Sequence, residues 1–142
     1  NGSGSITYNG WWLDVGTVGY VAIANEDPVD KVGRLTGWTR GTVSQTCVHN
    51  TTSGARKLCE TVVVNARSGG GDSGGPVFLL SGGNFVVPLG ILTSGGGATG
   101  QYDPTQGPPP GTWYCTGGCW YRYADFAHIQ THLGVTLSSQ SY

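Results

Sequence analysis

Apolar residues in this chain come in short runs rich in Val, Ile, Leu and aromatic side chains, and clusters of Gly, Asn, Asp, Ser and Pro separate one run from the next. Ile6-Thr7-Tyr8 and residues 17–24 have the β-branched and aromatic content of strands, with Asn9-Gly10 as a turn signal and Trp11-Trp12-Leu13 between them. Residues 29–47 read as two strands around Gly37-Trp38-Thr39-Arg40-Gly41. Further strands are expected over 57–66, 77–80, 85–92 and 120–123. Residues 98–118, holding Gly107-Pro108-Pro109-Pro110-Gly111, form an excursion longer than most connections in a compact domain. One segment has helical spacing: Phe126, Ile129 and Leu133 fall at i, i+3 and i+7, Asp125 is a suitable N-cap, and Gly134 ends the helix.

Composition strengthens this reading. With 26 Gly among 142 residues and only 11% charged side chains, the chain describes a β protein with many tight turns, long enough for one domain with a modest core. A net charge of −1 offers no basic face to nucleic acid, and no apolar run approaches the roughly 20 residues of a membrane span. The chain holds no Met, so the expectation is a processed or truncated start, as after export. Cys47, Cys59, Cys115 and Cys119 allow three pairings, and an even count with low charge favours an oxidising, secreted setting. Disulfides Cys47–Cys59, across a hairpin, and Cys115–Cys119, across Thr116-Gly117-Gly118, are expected. Four thiolates on zinc are the alternative, but Cys47 and Cys59 lack the short interval such sites use. His128 and His132, one helical turn apart, read as solvated positions facing away from the apolar stripe, and His49 lies in a polar loop over 49–54. No metal or other cofactor is expected.

The most specific stretch is Ser68-Gly69-Gly70-Gly71-Asp72-Ser73-Gly74-Gly75-Pro76, six of whose nine residues are Gly or Pro, placed directly before an apolar run. That pattern predicts a tight bend at the foot of a strand, able to present one hydroxyl outward. A serine hydroxyl attacks a carbonyl only when a base takes its proton, and the resulting oxyanion needs donors already in place. The hexapeptide Gly71-Asp72-Ser73-Gly74-Gly75-Pro76 resembles the nucleophile loop of the chymotrypsin-like serine proteases. The likeness extends over roughly residues 29 to 137. Its run Val32-Gly33-Arg34-Leu35-Thr36-Gly37-Trp38-Thr39 is similar to the strand that opens the second barrel in secreted bacterial members.

What the resemblance implies is an all-β fold: a six-stranded antiparallel Greek-key barrel with a short terminal helix over 29–142, and strands and linker from the inter-barrel region over 1–28. It makes Ser73 the nucleophile and the N–H groups of Gly71 and Ser73 the oxyanion hole. It turns Asp72 inward against a cation, here Arg34, and lays the substrate backbone along Ser94, Gly95 and Gly96 as an added strand. The activity implied is hydrolysis of peptide or protein substrates through an acyl-enzyme, outside the cell and without a cofactor. Base and orienting acid belong to a first barrel that this chain does not contain, so an N-terminal half carrying His and Asp is the implied partner, and the isolated chain should be nearly inactive. Arg67 stands where many relatives carry a cysteine, and no primary specificity is inferred. Two other functions fit the same residues: a non-catalytic extracellular binding module with Trp11 and Trp12 on an exposed apolar face, and a structural module that assembles with itself.

Overall fold

The computed structural model describes residues 5–8, 11–15, 27–52, 55–81, 85–96, 100–102, 113–115 and 118–134. In chain order the elements are β1 (Ser5–Tyr8), β2 (Trp11–Val15), β3 (Pro28–Gly33), β4 (Gly37–Thr52), β5 (Ala55–Val64), β6 (Pro76–Leu80), β7 (Phe85–Gly96), β8 (Gly100–Tyr102), β9 (Trp113–Cys115), β10 (Trp120–Asp125) and α1 (Phe126–Leu133). Six of these strands close on themselves in the order β3-β4-β5-β10-β7-β6, with β6 returning to pair with β3. Every pairing around that ring is antiparallel. The order β6-β3-β4-β5 is a Greek key, in which the fourth strand returns by a long connection to lie beside the first. That connection is residues 65–75. The glycine-rich stretch therefore crosses one end of the barrel because the topology requires a crossover there.

Inward-facing side chains of opposite strands fill the barrel. β10 alternates strictly, burying Tyr121, Tyr123 and Asp125 while Trp120, Arg122 and Ala124 stay half-buried. The tyrosines pack with Val29, Val43, Val63, Ala66, Val77, Leu89 and Leu92, and a second cluster joins Trp38, Phe78 and Val86. Trp38 and Phe78 meet edge to face at 5.6 Å. Asp30, buried on β3, accepts from the Trp38 indole at 2.9 Å and from Arg40 through Nε and Nη2, at 2.6 and 2.9 Å. Disulfides join Cys47 to Cys59 across β4 and β5 and Cys115 to Cys119 between β9 and β10. Among the described residues no helix is long and apolar enough to cross a membrane.

Several strand limits differ from those read in the sequence. Trp11-Trp12-Leu13 lies within β2, in a hairpin with β1 that pairs in parallel with β7. The strand expected over 17–24 lies outside the described residues, as does the Gly107–Gly111 segment, although its flanks pair as β8 and β9. The turn between β3 and β4 is Arg34-Leu35-Thr36, ahead of the expected 37–41, because Gly37 takes the left-handed conformation (φ 65°) that starts β4. β4 continues through the expected polar loop to Thr52, and β7 runs through Gly96, making the Ser94–Gly96 segment a strand.

The helix is capped as read. Asp125 accepts from the N–H of His128 at 2.8 Å, and Gly134 closes the helix at φ 62°. Of the two histidines read as solvated, His132 is exposed and His128 half-buried, and both share with the apolar Ile129 and Leu133, and with Glu60, Thr93 and Ala124, the lining of a cleft of about 330 Å³. An eight-residue helix lying along a barrel wall shows that wall more than one angular stripe, and the spacing of three apolar residues did not disclose the second.

Candidate active site

Asp72 organises the crossover. Its carboxylate is 1% exposed and accepts through Oδ1 from the N–H groups of Leu35, at 2.7 Å, and Thr36, at 3.0 Å. Oδ2 accepts from the N–H of Gly69 at 3.0 Å and from the Thr36 hydroxyl. The cation is Lys31, whose Nζ lies 3.2 Å from Oδ2 with both side chains fully buried. Lys31 also donates to Thr36 Oγ1 and, at 3.1 Å, to the carbonyl of Gly37, so its charge is held by a closed set of oxygens.

Arg34 is not the partner of Asp72, contrary to the sequence reading. The Arg34-Leu35-Thr36 turn spends its N–H groups on the carboxylate and directs the Arg34 side chain to the exterior, while Lys31, earlier on β3, approaches from inside the barrel. Arg34 remains close to the loop: its Nη2 stands 3.6 Å from where a Cβ on Gly71 would sit. Gly33 is as necessary as the cation, since a Cβ there would fall 2.3 Å from Asp72 Oδ1.

Electrostatics follow this geometry. Burial pushes the Asp72 carboxyl up, but the Thr36 hydroxyl and N–H, the Lys31 charge and the Leu35 N–H outweigh it and bring the pKa down to about 2. Burial lowers Lys31 to about 8, with Asp72 opposing the shift and the nearby Arg67 charge adding to it. Between these values both groups are charged.

The loop they hold is ordered by its own backbone. The N–H groups of Asp72 and Gly75 donate to the carbonyls of Gly69 and Asp72, each at 3.0 Å. Gly74 donates to Leu92 O at 2.8 Å, and Leu92 donates back to Gly75 O at 3.0 Å. These last two bonds fasten Ser73 beside β7, two residues before Ser94. Ser73 is exposed, and Gly71 has φ 116°, a conformation that side chains resist. Among the described residues nothing accepts from the N–H groups of Gly70, Gly71 or Ser73, whereas those of Gly69, Asp72, Gly74 and Gly75 are all bonded. No histidine among the described residues is hydrogen-bonded to Ser73.

Along the other side runs the end of β7. Ser94, Gly95 and Gly96 pair with Arg122, Tyr121 and Trp120 of β10. Ser68 occupies the space a Gly95 side chain would need: a Cβ there would meet its Oγ, which instead donates to Trp120 O at 3.3 Å. The Trp120 ring packs on Gly96 and carries the Arg122 guanidinium 4.8 Å from its centroid. Ser94 Oγ is buried with no hydrogen-bond partner among the described residues. The structure thus brings Gly71, Asp72 and Ser73 together with Ser94–Gly96 and adds Lys31, Thr36 and Gly33. Sequence reasoning missed Lys31, although a lysine inside a strand of so sparsely charged a chain was a signal in plain view.

Solved structures with this architecture decide the fold. Over 97% of this chain and 62% of its own length, a glutamic acid specific serine protease, described as using a histidine triad in substrate binding, superimposes with a TM-score of 0.70 at 24% identity. The fold is that of the chymotrypsin-like serine proteases. Protease A of Thermobifida fusca matches with a TM-score of 0.65 at 23% identity, over 94% of this chain and 59% of its own. The chymotrypsin of Cellulomonas bogoriensis matches at 0.67 and 20%, over 96% and 62%. The chain thus spans about three fifths of the length of each of these chymotrypsin-like enzymes. No protein-family model and no curated protein matches the sequence.

Proposed function

We propose that this chain is the nucleophile-bearing half of a secreted serine endopeptidase. Ser73 attacks the carbonyl carbon of the scissile peptide bond, and the N–H groups of Gly71 and Ser73 receive the oxyanion. The observation that carries this reading is the bonding pattern of the loop, where the amides of Gly69, Asp72, Gly74 and Gly75 are bonded while those of Gly71 and Ser73, with that of Gly70, meet no acceptor among the described residues, beside an exposed hydroxyl. Lys31, Thr36 and Asp72 hold that geometry without contacting substrate. Ser94, Gly95 and Gly96 pair with the extended substrate backbone, and glycine at two of the three positions keeps the approach open.

The base is supplied from outside the chain. A partner half carrying His and Asp completes the site. The two disulfides accord with an oxidising, extracellular setting. Since no histidine among the described residues is bonded to Ser73, a second reading stands beside the first: a protease half that binds extracellular partners without cleaving them.

Peptide hydrolysis by the longer polypeptide or complex that carries this chain separates the two. The enzyme reading expects turnover that Ser73→Ala lowers on the order of 10⁴-fold or more in kcat/KM. Turnover that Ser73→Ala leaves unchanged, or none with the complete assembly folded, favours the binder.

A further inference from the structure

On the barrel wall beside α1, the Cys47–Cys59 disulfide has an unexpected neighbour. One ligand-capable atom from each of Cys47, Cys59 and His128 lies within 4.8 Å of the other two, with Cys47 exposed and the other two half-buried. His128 is itself oriented: its Nδ1 lies 2.7–2.8 Å from both carboxylate oxygens of Asp125, which leaves Nε2 as the nitrogen free for another partner. A carboxylate holding one ring nitrogen of a histidine is the arrangement that fixes the tautomer of a metal-ligating imidazole.

We propose that, once this disulfide is reduced, the two sulfurs and His128 Nε2 form a three-ligand site for a soft divalent cation, of which zinc fits the donor set best. A dithiol reductant supplies two electrons and two protons to the S–S bond, leaving Cys47 and Cys59 as thiols and itself as a disulfide. Binding of the cation then releases both thiol protons. Zinc bonds of about 2.3 Å to sulfur and 2.0–2.1 Å to nitrogen, tetrahedrally arranged, place the sulfurs about 3.8 Å apart and each about 3.6 Å from the nitrogen. The sulfurs therefore have to part by about 2 Å from their separation in any disulfide.

The local backbone permits this. Register shifts fall between Gln45 and Val48 and between Val48 and Asn50, so neither cysteine sits in a regular ladder pair that the movement would break. Both have positive φ, at 54°, which marks the same departure from strand geometry. The fourth position, beside the exposed Cys47, takes water. Exchange with a small-molecule disulfide, which takes the two electrons and leaves as two thiols, re-forms the Cys47–Cys59 bond and expels the cation, so the site belongs to the chain before the disulfide forms or after a reductant has opened it. This inference does not rest on the protease reading.

The test is cobalt titration of the protein after reduction and anaerobic removal of the reductant, with zinc as competitor. The expected result is one cobalt per chain, thiolate-to-cobalt charge-transfer absorption, displacement by zinc, and no such absorption from the oxidised protein. Cys115→Ser/Cys119→Ser retains the site. His128→Ala and Asp125→Asn each weaken it about tenfold or more, the second keeping a side-chain acceptor at the helix N-cap should the first disturb folding. Absence of the charge-transfer bands, equal affinity in both variants, binding by the oxidised protein, or loss on Cys115→Ser/Cys119→Ser overturns it. A reduced chain that stays unfolded with cobalt present does so too.

Discussion

Asp72 and Lys31 are the residues whose chemistry the fold is least able to lose. Removing one partner of a buried ion pair leaves the other charge without compensation and costs about 3–5 kcal/mol, whereas removing both together costs less than the sum. Lys31→Met and Asp72→Asn are each expected to lower the urea midpoint by that measure, and the double variant no further than the worse single one. The pH dependence has a fixed sign. With Asp72 lowered to about 2, its stabilising contribution is present above the ordinary carboxylate value near 4 and is lost as pH falls through about 2. It amounts to roughly 2 kcal/mol, and Asp72→Asn should remove that part of the acid transition in urea melts taken from pH 5 to 2. Lys31 carries the same sign in a higher window: lowered to about 8, it releases its proton while the unfolded chain still holds one, so stability again rises with pH, here from about 8 to the ordinary lysine value. Of this network the sequence disclosed Asp72 and the need for a cation. It did not disclose which cation, because β3 buries Val29, Asp30 and Lys31 in succession and strand alternation then carries no signal.

At the scale of elements, the site depends on where strands end. The β3–β4 turn supplies two N–H groups to Asp72, β7 receives the loop through Leu92, and β10 backs Ser94–Gly96. Gly33 is the tightest of these junctions, and Gly33→Ala sets a methyl on the Asp72 carboxylate. It is expected to cost about 2 kcal/mol or more by urea unfolding, and to disturb the loop as Lys31→Met does. A variant as stable as the parent would show that the carboxylate has room the packing denies. Strand existence was legible from runs of Val, Tyr and Trp, and helix capping from Asp125 and Gly134. Strand limits were not, because Asn50 and Ser94 have turn-like composition yet are held in strands by pairing with Lys57 and Arg122, while Thr36 is held in a turn by the Asp72 carboxylate, and no local pattern records these partners.

As a whole molecule, the chain closes a six-stranded ring from its own strands, so each strand of that ring is paired on both sides by described residues. On the proposed reading, a second half supplies chemistry and no strand of this ring. Leu35, 60% exposed, and Arg34 border the loop at Gly71. The barrel class and the crossing loop were readable from one hexapeptide and the turn-rich composition. The closure of the ring through β6 and β7 was not, since those partners are set by topology. The most direct measurement is mass-spectrometric mapping of the adduct formed by a fluorophosphonate probe with the complete assembly and with this chain alone. A single adduct on Ser73 in the assembly, at most a trace on the isolated chain, and a sharp fall with Lys31→Met is the expected result. A folded assembly that takes no adduct, or takes it at another residue, contradicts the account.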